Sequence, residues 1–334
     1  MRRLGGRRWS SHAVTPVLIA SLSVLVVGCG SPTSAPPASA SALPSAACDG
    51  QAKPGDSVVT VESGGMQRTV LLHLPSGYTD REKAPLILNL HGSESTAAAQ
   101  MVFTGMNATS DADGFIVAYP QAAIADGAGY DWNVPGQPLL GGGSVPANAP
   151  NDVDFLQQAI STLEAGLCVD TTRIFVTGFS GGARMTSQLG CDLSTVVAAI
   201  APVSGLRFPA PCPATRPVPV ISFHGTADPI DPYDGNGQAY WTYSVPTAAQ
   251  RWAAFEGCSS APAVAHPPPD IQVTSYTGCK DGSAVSLYTV VGEGHEWPGG
   301  PHLGPGYIAV LGAQSNAINA NTTMWQFFSS HPLA

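Results

Sequence analysis

Ile174-Phe175-Val176-Thr177-Gly178-Phe179-Ser180-Gly181-Gly182 runs from an apolar, β-prone segment into a serine bracketed by glycines, and Ala183 to Leu189 beyond it have helical composition. Strand, Gly-x-Ser-x-Gly and helix in that order make a nucleophile elbow. A serine that must stand out from a strand end needs a very tight turn, which leaves no room for side chains at Gly178 and Gly182. Gly181 then opens the helix, so its N–H can point at an oxyanion. The pentapeptide alone would equally suit a glycine-rich turn with a solvated serine, because short motifs match by accident. The strand before it and the helix after it argue for the elbow.

Upstream, Val58 to Glu62 and Gln67 to Leu74 are alternating β-branched runs around Gly64-Gly65, which predicts an antiparallel hairpin. Pro85-Leu86-Ile87-Leu88-Asn89-Leu90 is nearly continuously apolar, as in a strand buried on both faces. It ends in His91-Gly92-Ser93, where the Ser93 N–H is the candidate second oxyanion donor and the His91 side chain reads as structural. Thr96 to Asp111 is helical in composition and Phe115 to Tyr119 is a strand. Pro120 to Asn151 reads as a long loop, the kind that is usually functional; within it Trp132 is either an aromatic wall of a substrate cleft or a plug for the loop. Asp152 to Gly166 carries a helical apolar stripe, with Asp152 and Asp154 complementing the helix dipole in its first turn.

Downstream, Val196 to Val203 and Val218 to Phe223 are strands, the second leading into His224-Gly225-Thr226-Ala227-Asp228-Pro229. Thr247 to Gly257 is an amphipathic helix, Ile271 to Tyr276 and Ala284 to Val291 are strands, and Asn316 to Phe328 is a closing helix. The last strand runs into Gly292-Glu293-Gly294-His295-Glu296-Trp297-Pro298-Gly299. Alternating strands and helices predict an α/β fold with a mostly parallel, doubly wound sheet and helices on both faces. Ligands then gather at the carboxyl ends of the strands, where Ser180, Asp228 and His295 all fall. Gly304-Pro305-Gly306 opens a G-x-G-x-x-A match, but no strand precedes it and no acid follows at the dinucleotide distance.

The chain begins with Arg2, Arg3, Arg7 and Arg8 and the apolar run Val17 to Val27, which is short for a membrane span and reads as a secretory signal, residues 1–28. Val26-Val27-Gly28-Cys29 looks like a lipobox, with Cys29 the lipidated first residue of the mature chain; cleavage in the small-residue tract beyond it is the alternative. Residues 29–47 are rich in Ser, Pro and Ala and bury too little to order themselves, as in a tether. Residues 48–334 form the expected catalytic domain. Of the 14 Lys and Arg, four leave with the signal, so ten face 23 Asp and Glu, a net of −13 that disfavours nucleic acid.

Setting Cys29 aside leaves Cys48, Cys168, Cys191, Cys212, Cys258 and Cys279, an even count that implies three disulfides in an exported chain. Of the fifteen pairings, nearness in sequence favours Cys191–Cys212 and Cys258–Cys279, leaving Cys48 with Cys168. A zinc site is a poor reading, since no C-x-x-C or H-E-x-x-H occurs.

Serine is a weak nucleophile until a neutral imidazole takes its proton, and a carboxylate fixes the imidazole tautomer and stabilises its cation. The chain order Ser180, Asp228, His295 is that of α/β-hydrolases. In Leu90-His91-Gly92, Ala118-Tyr119-Pro120-Gln121, Val176 to Gly182, His224 to Pro229 and Gly294 to Gly299, the sequence resembles the poly(3-hydroxybutyrate) depolymerase and feruloyl esterase group of carbohydrate esterase family 1, which includes actinobacterial lipoproteins. The resemblance covers nearly all of residues 48–334. It implies an α/β-hydrolase fold, Ser180 as nucleophile, Asp228 as acid and His295 as base, and it favours the same disulfide pairs. Two departures bear on substrate: Ser93 stands where many polymer depolymerases have cysteine, and Glu293 replaces a frequent glycine.

The expectation is therefore a surface-anchored serine esterase, a monomer acting on an ester substrate, with Ser93 and Gly181 amides as oxyanion hole and Trp132 and Trp297 flanking the substrate. Its chemistry needs no cofactor or metal. An acyltransferase with the same residues, or a non-catalytic surface lipoprotein, remains open from sequence alone.

Overall fold

Every residue of the apolar run Ala84–Leu90 is buried, and it lies parallel to Val169–Phe179, the strand that ends at Ser180. The computed structural model describes residue 48 and residues 51–259, 261–302 and 304–333. The expected signal peptide, the Cys29 site and the tether lie outside the described residues.

The strands in chain order are β1 Gly55–Ser63, β2 Met66–Leu74, β3 Ala84–Leu90, β4 Ile116–Pro120, β5 Ile124–Asp126, β6 Gly129–Asp131, β7 Val169–Phe179, β8 Ala199–Val203, β9 Val220–Gly225, β10 Ala263–Ala265, β11 Ile271–Tyr276 and β12 Val285–Val290. Ten of them form one sheet in the order β1-β2-β4-β3-β7-β8-β9-β12-β11-β10, while β5 and β6 pair separately. The six central strands run parallel, and antiparallel neighbours close both ends. The expected mostly parallel sheet is thus its centre.

The helices are α1 Ala97–Thr104, α2 Met106–Asp113, α3 Asp152–Gly166, α4 Gly181–Asp192, α5 Val245–Phe255, α6 Pro305–Leu311 and α7 Ala320–Ser329. Because side chains alternate along a strand, β3 feeds two cores. Leu86, Leu88 and Leu90 pack with Phe155 of α3, Met185 of α4 and Trp252 of α5. Ile87 joins Phe103 of α1, Met106 of α2 and Phe328 of α7 on the other face. Among the described residues no helix is long and apolar enough to cross a membrane.

The three disulfides are Cys48–Cys168, Cys191–Cys212 and Cys258–Cys279, as the spacing and the resemblance favoured. The first closes a separation of 120 residues, and a cross-link over so long a loop removes about 3–5 kcal/mol of unfolded-chain entropy. Asp80 supports it, accepting the N–H groups of Ala52 and Cys168.

Three local readings change. The helix expected from Thr96 to Asp111 breaks into α1 and α2 at Gly105, which adopts φ 57°. The long loop after β4 holds the β5–β6 hairpin, whose register Tyr130 extends through a bridge to Ser95. Asp152, read as a helix-dipole residue, is also a buried partner of Arg68 at 2.8 Å, tying α3 to β2.

Candidate active site

Ser180 sits between β7 and α4 with φ 53° and ψ −116°, a conformation that L-residues rarely adopt and that costs on the order of 1–3 kcal/mol. The surrounding backbone enforces it. A Cβ on Gly178 would lie 2.6 Å from the Gly182 carbonyl oxygen, and one on Gly182 would run into the carbonyls of Leu90 and His91. Below the serine, its N–H donates to the Val203 carbonyl at 3.0 Å, and the first eleven residues of α4 are all buried. The Ser180 side chain makes no hydrogen bond among the described residues.

The turn after β3 lies against this elbow. His91 is buried, and its Nε2 accepts the Ala122 N–H at 3.1 Å, which leaves the proton on Nδ1 to donate to the Gly92 carbonyl at 2.8 Å. Burial pushes the His91 pKa down to about 4, so the ring stays neutral. In a planar trans peptide the N–H points away from the carbonyl. His91 therefore turns the Ser93 N–H to the opposite side, and the Ser93 nitrogen is 3.1 Å from where a Gly181 Cβ would be. The β6 end clamps the same turn: Asp131 Oδ1 accepts the Glu94 N–H at 2.9 Å, and the Trp132 indole N–H donates to the His91 carbonyl at 2.8 Å.

His295 and Asp228 arrive from the ends of β12 and β9. The His295 Nδ1 is 2.7 Å from Asp228 Oδ2, while Asp228 Oδ1 accepts the N–H groups of Ile230 and Asp231, each at 2.8 Å. The His224 Nε2–H donates to the Asp231 carbonyl at 2.7 Å and stands 3.3 Å from Asp228 Oδ2. The loop of His295 rests on the end of α6 and the residues just beyond it: the His295 N–H donates to the Leu311 carbonyl, and the Gly294 N–H to Ala313 at 2.8 Å. A side chain at Gly294 would strike the Leu311 carbonyl, which explains the glycine before the histidine.

Ser180, His295 and Ser93 line one cleft of about 600 Å³, within the ordinary range for small-molecule sites. Phe103, Phe179 and Leu311 supply apolar walls.

The family model for esterase PHB depolymerase matches residues 69–247. The chain belongs to this esterase family. Feruloyl esterase B of Piromyces equi is 31% identical over 244 residues, 68% of this chain but 42% of that relative's length. The putative esterase NocK of Nocardia uniformis subsp. tsuyamanensis is 30% identical over 331 residues, 89% of this chain and 92% of the relative. Among solved structures, the acetyl xylan esterase from Aspergillus awamori shares the fold, with a TM-score of 0.57 at 16% identity over 82% of this chain and 99% of that one.

In this esterase the charges around His295 oppose its burial. Burial pulls the imidazole pKa down, but Asp228, by charge and hydrogen bond, and more weakly Asp231 and Glu296, raise it on balance. Burial likewise works against the Asp228 carboxylate, yet His295 and His224 hold it well below the usual range. Two neighbours go the other way: burial pushes Glu293 up to about 8 and Glu296 up to about 7. Glu293 Oε2 also accepts the Ser315 N–H at 2.7 Å, so this residue fastens the histidine loop.

The expected aromatic flanks are elsewhere. Trp132 is buried against His91, with ring centroids 4.9 Å apart, and plugs the loop. Trp297 is buried, and its N–H donates to Asn321 Oδ1 at 2.9 Å. Neither lines the cleft. Indole packs so much area that a core takes it unless a cleft is prepared for it. The aromatic residues that do line the cleft are Phe103, Phe179 and Tyr307. Phe179 could have been found as the variable residue before the elbow serine; Phe103 and Tyr307 carried no local signal. Asp131, neighbour of the noticed Trp132, was missed because its partner is a backbone N–H that a sequence does not reveal. Among the described residues no group of three His, Cys, Asp or Glu side chains is placed to hold a metal ion.

Proposed function

We propose that this esterase works through Ser180 as nucleophile, His295 as base and Asp228 as the acid that orients the imidazole, with the Ser93 and Gly181 amides as oxyanion hole. One observation carries the reading: a serine held at φ 53° shares an apolar cleft with an imidazole whose far nitrogen is fixed by a carboxylate 2.7 Å away. Asp228 keeps the proton on Nδ1, so Nε2 is free to act as base.

As the Ser180 Oγ bonds to the ester carbonyl carbon, its proton passes to His295 Nε2 and the carbonyl electrons move onto oxygen, where two N–H groups receive them. Collapse expels the alcohol oxygen, which takes the proton from His295. Water then repeats the sequence on the acyl-enzyme, releasing the acid and restoring Ser180. For the transfer, Ser180 Oγ must come within hydrogen-bond reach of His295 Nε2 in the complex with the ester.

The three disulfides fit an oxidising, extracytoplasmic environment. The substrates this reading assigns are feruloyl- or acetyl-type esters or hydroxyalkanoate esters, met at the cell surface by a domain tethered through residues 29–47 and a lipid on Cys29. The mass of the mature N-terminus checks that anchor.

The test is Ser180→Ala, assayed on p-nitrophenyl esters, methyl ferulate, acetylated xylan and a hydroxybutyrate oligomer. The expected loss in kcat/KM is about 10⁴-fold or more with an unchanged melting temperature. A Ser180→Ala protein that keeps its rate would sink the assignment.

A further inference from the structure

Eight large apolar side chains are exposed among the described residues, and three of them, Val102, Tyr307 and Val310, line the cleft that holds Ser180 and His295. A fourth, Ile308, belongs to the same helix as the last two. That helix, α6, reads Pro-Gly-Tyr-Ile-Ala-Val-Leu and has no buried residue. Helices apolar all round are normally enclosed, yet Tyr307 is 51% and Val310 64% exposed, and Val102 on α1 is 62% exposed. Water covers this wall in the free protein, so burying it is energy held for a ligand.

We propose that α1 and α6 form the binding wall for a medium-length aliphatic acyl chain, esterified to the alcohol that Ser180 displaces. This rests on the ester-hydrolysis reading above and narrows its acyl groups to an aliphatic class, setting the feruloyl and acetyl members aside. Chemistry on the wall favours aliphatic over hydroxyaryl groups: beside Tyr307 the lining carries Val102, Val310, Leu140, Leu311 and Ile230, while its polar side chains other than Ser180 and His295 are those of the 93–95 turn and Gln100, which is tied to Asn89. Glu94 is the sole carboxylate among the lining residues, and no lysine or arginine lines the cleft, so an ionised acyl tail has no counter-charge. The acyl arm, rather than the alcohol, is assigned to the wall because it stays bound through both half-reactions; contacts to it stabilise both transition states, whereas contacts to the alcohol end with the first. Phe179, which precedes Ser180 and packs 4.7 Å from both Phe103 and His295, leads from the nucleophile to that wall.

Full-length protein would be assayed on p-nitrophenyl acetate and octanoate, on the pair ethyl octanoate and octyl acetate, and on methyl ferulate. The expected kcat/KM for the octanoate is at least about tenfold above that for the acetate, and the double variant Val102→Ser, Val310→Ser lowers the octanoate-to-acetate ratio about tenfold. Both positions are exposed, so the variant should fold, and its melting curve checks this. The inference is overturned by an unchanged ratio, by a wild-type preference for acetate or methyl ferulate, or by a chain-length gain with octyl acetate instead of ethyl octanoate. An enzyme that turns over none of these esters overturns the hydrolase reading itself, which keeps the two failures apart.

Discussion

The elbow around Ser180 and the α6 wall are both short, apolar and rich in glycine, yet the molecule uses them in opposite ways. At the elbow Gly178 and Gly182 are crowded by backbone: a Cβ on Gly178 meets the Gly182 carbonyl oxygen at 2.6 Å, and one on Gly182 meets the carbonyl oxygens of Leu90 and His91 at 2.4 Å. At α6, added Cβ atoms on Gly304 and Gly306 meet nothing within 4 Å. The first region is fixed by main chain packed on main chain, as geometry for bond-making requires. The second presents side chains to solvent, as suits a surface completed by something else. Glycine content alone does not separate the two regions; backbone crowding does.

Gly178→Ala should give the largest effect on that contrast. No flexible side chain is available to yield to the new methyl, so the expected loss is about 3 kcal/mol or more of stability, read by chemical denaturation, with activity lost alongside. A variant as stable as wild type would mean that the elbow backbone can relax, and the distinction would fail.

Asp131 tests whether the proposed oxyanion side is as fixed as the elbow. Asp131→Ala frees the Glu94 N–H from its 2.9 Å acceptor, and kcat is expected to fall about tenfold with KM little changed, since a displaced donor is felt mainly in the transition state. Asp131→Asn keeps a carbonyl oxygen for that N–H and should recover most of the rate. Equal losses in both variants would point to a role for the charge instead of the hydrogen bond.

The histidine side sharpens the comparison electrostatically. In the proposed mechanism His295 must be neutral to act as base, and its pKa is raised, so kcat/KM should fall on acidification with a midpoint above the usual imidazole value of about 6.5. Glu296 is one source of the rise. Glu296→Gln removes that negative charge, which should move the acid limb to lower pH by a few tenths of a unit. An upward movement would reverse the sign argued here.

The smallest effect is expected at Gly306→Ala. In an open helix the substitution should be neutral or stabilise by up to about 1 kcal/mol, the opposite sign to Gly178→Ala. A destabilisation of similar size at both sites would erase the difference between the two regions.

Much of this architecture was legible from residue order. Predominantly apolar runs marked β3, β7 and β9, and strand ends, where an α/β sheet exposes functional groups, were expected to hold Ser180, Asp228 and His295, which the structure places at the ends of β7, β9 and β12. Cysteine spacing led to the three disulfides that the structure shows. What a sequence records is local: the period of burial and the backbone freedom of each residue.

Only the tertiary structure decided the rest. It put Trp132 and Trp297 in the interior, set Asp131 and His91 behind the turn after β3, and brought α1 and α6, some 200 positions apart, to one cleft. Those outcomes depend on which surfaces meet when ten strands and seven helices close on one another. An apolar residue pays the same cost in water whichever neighbour finally covers it, so its periodicity says that it seeks a partner but not which one.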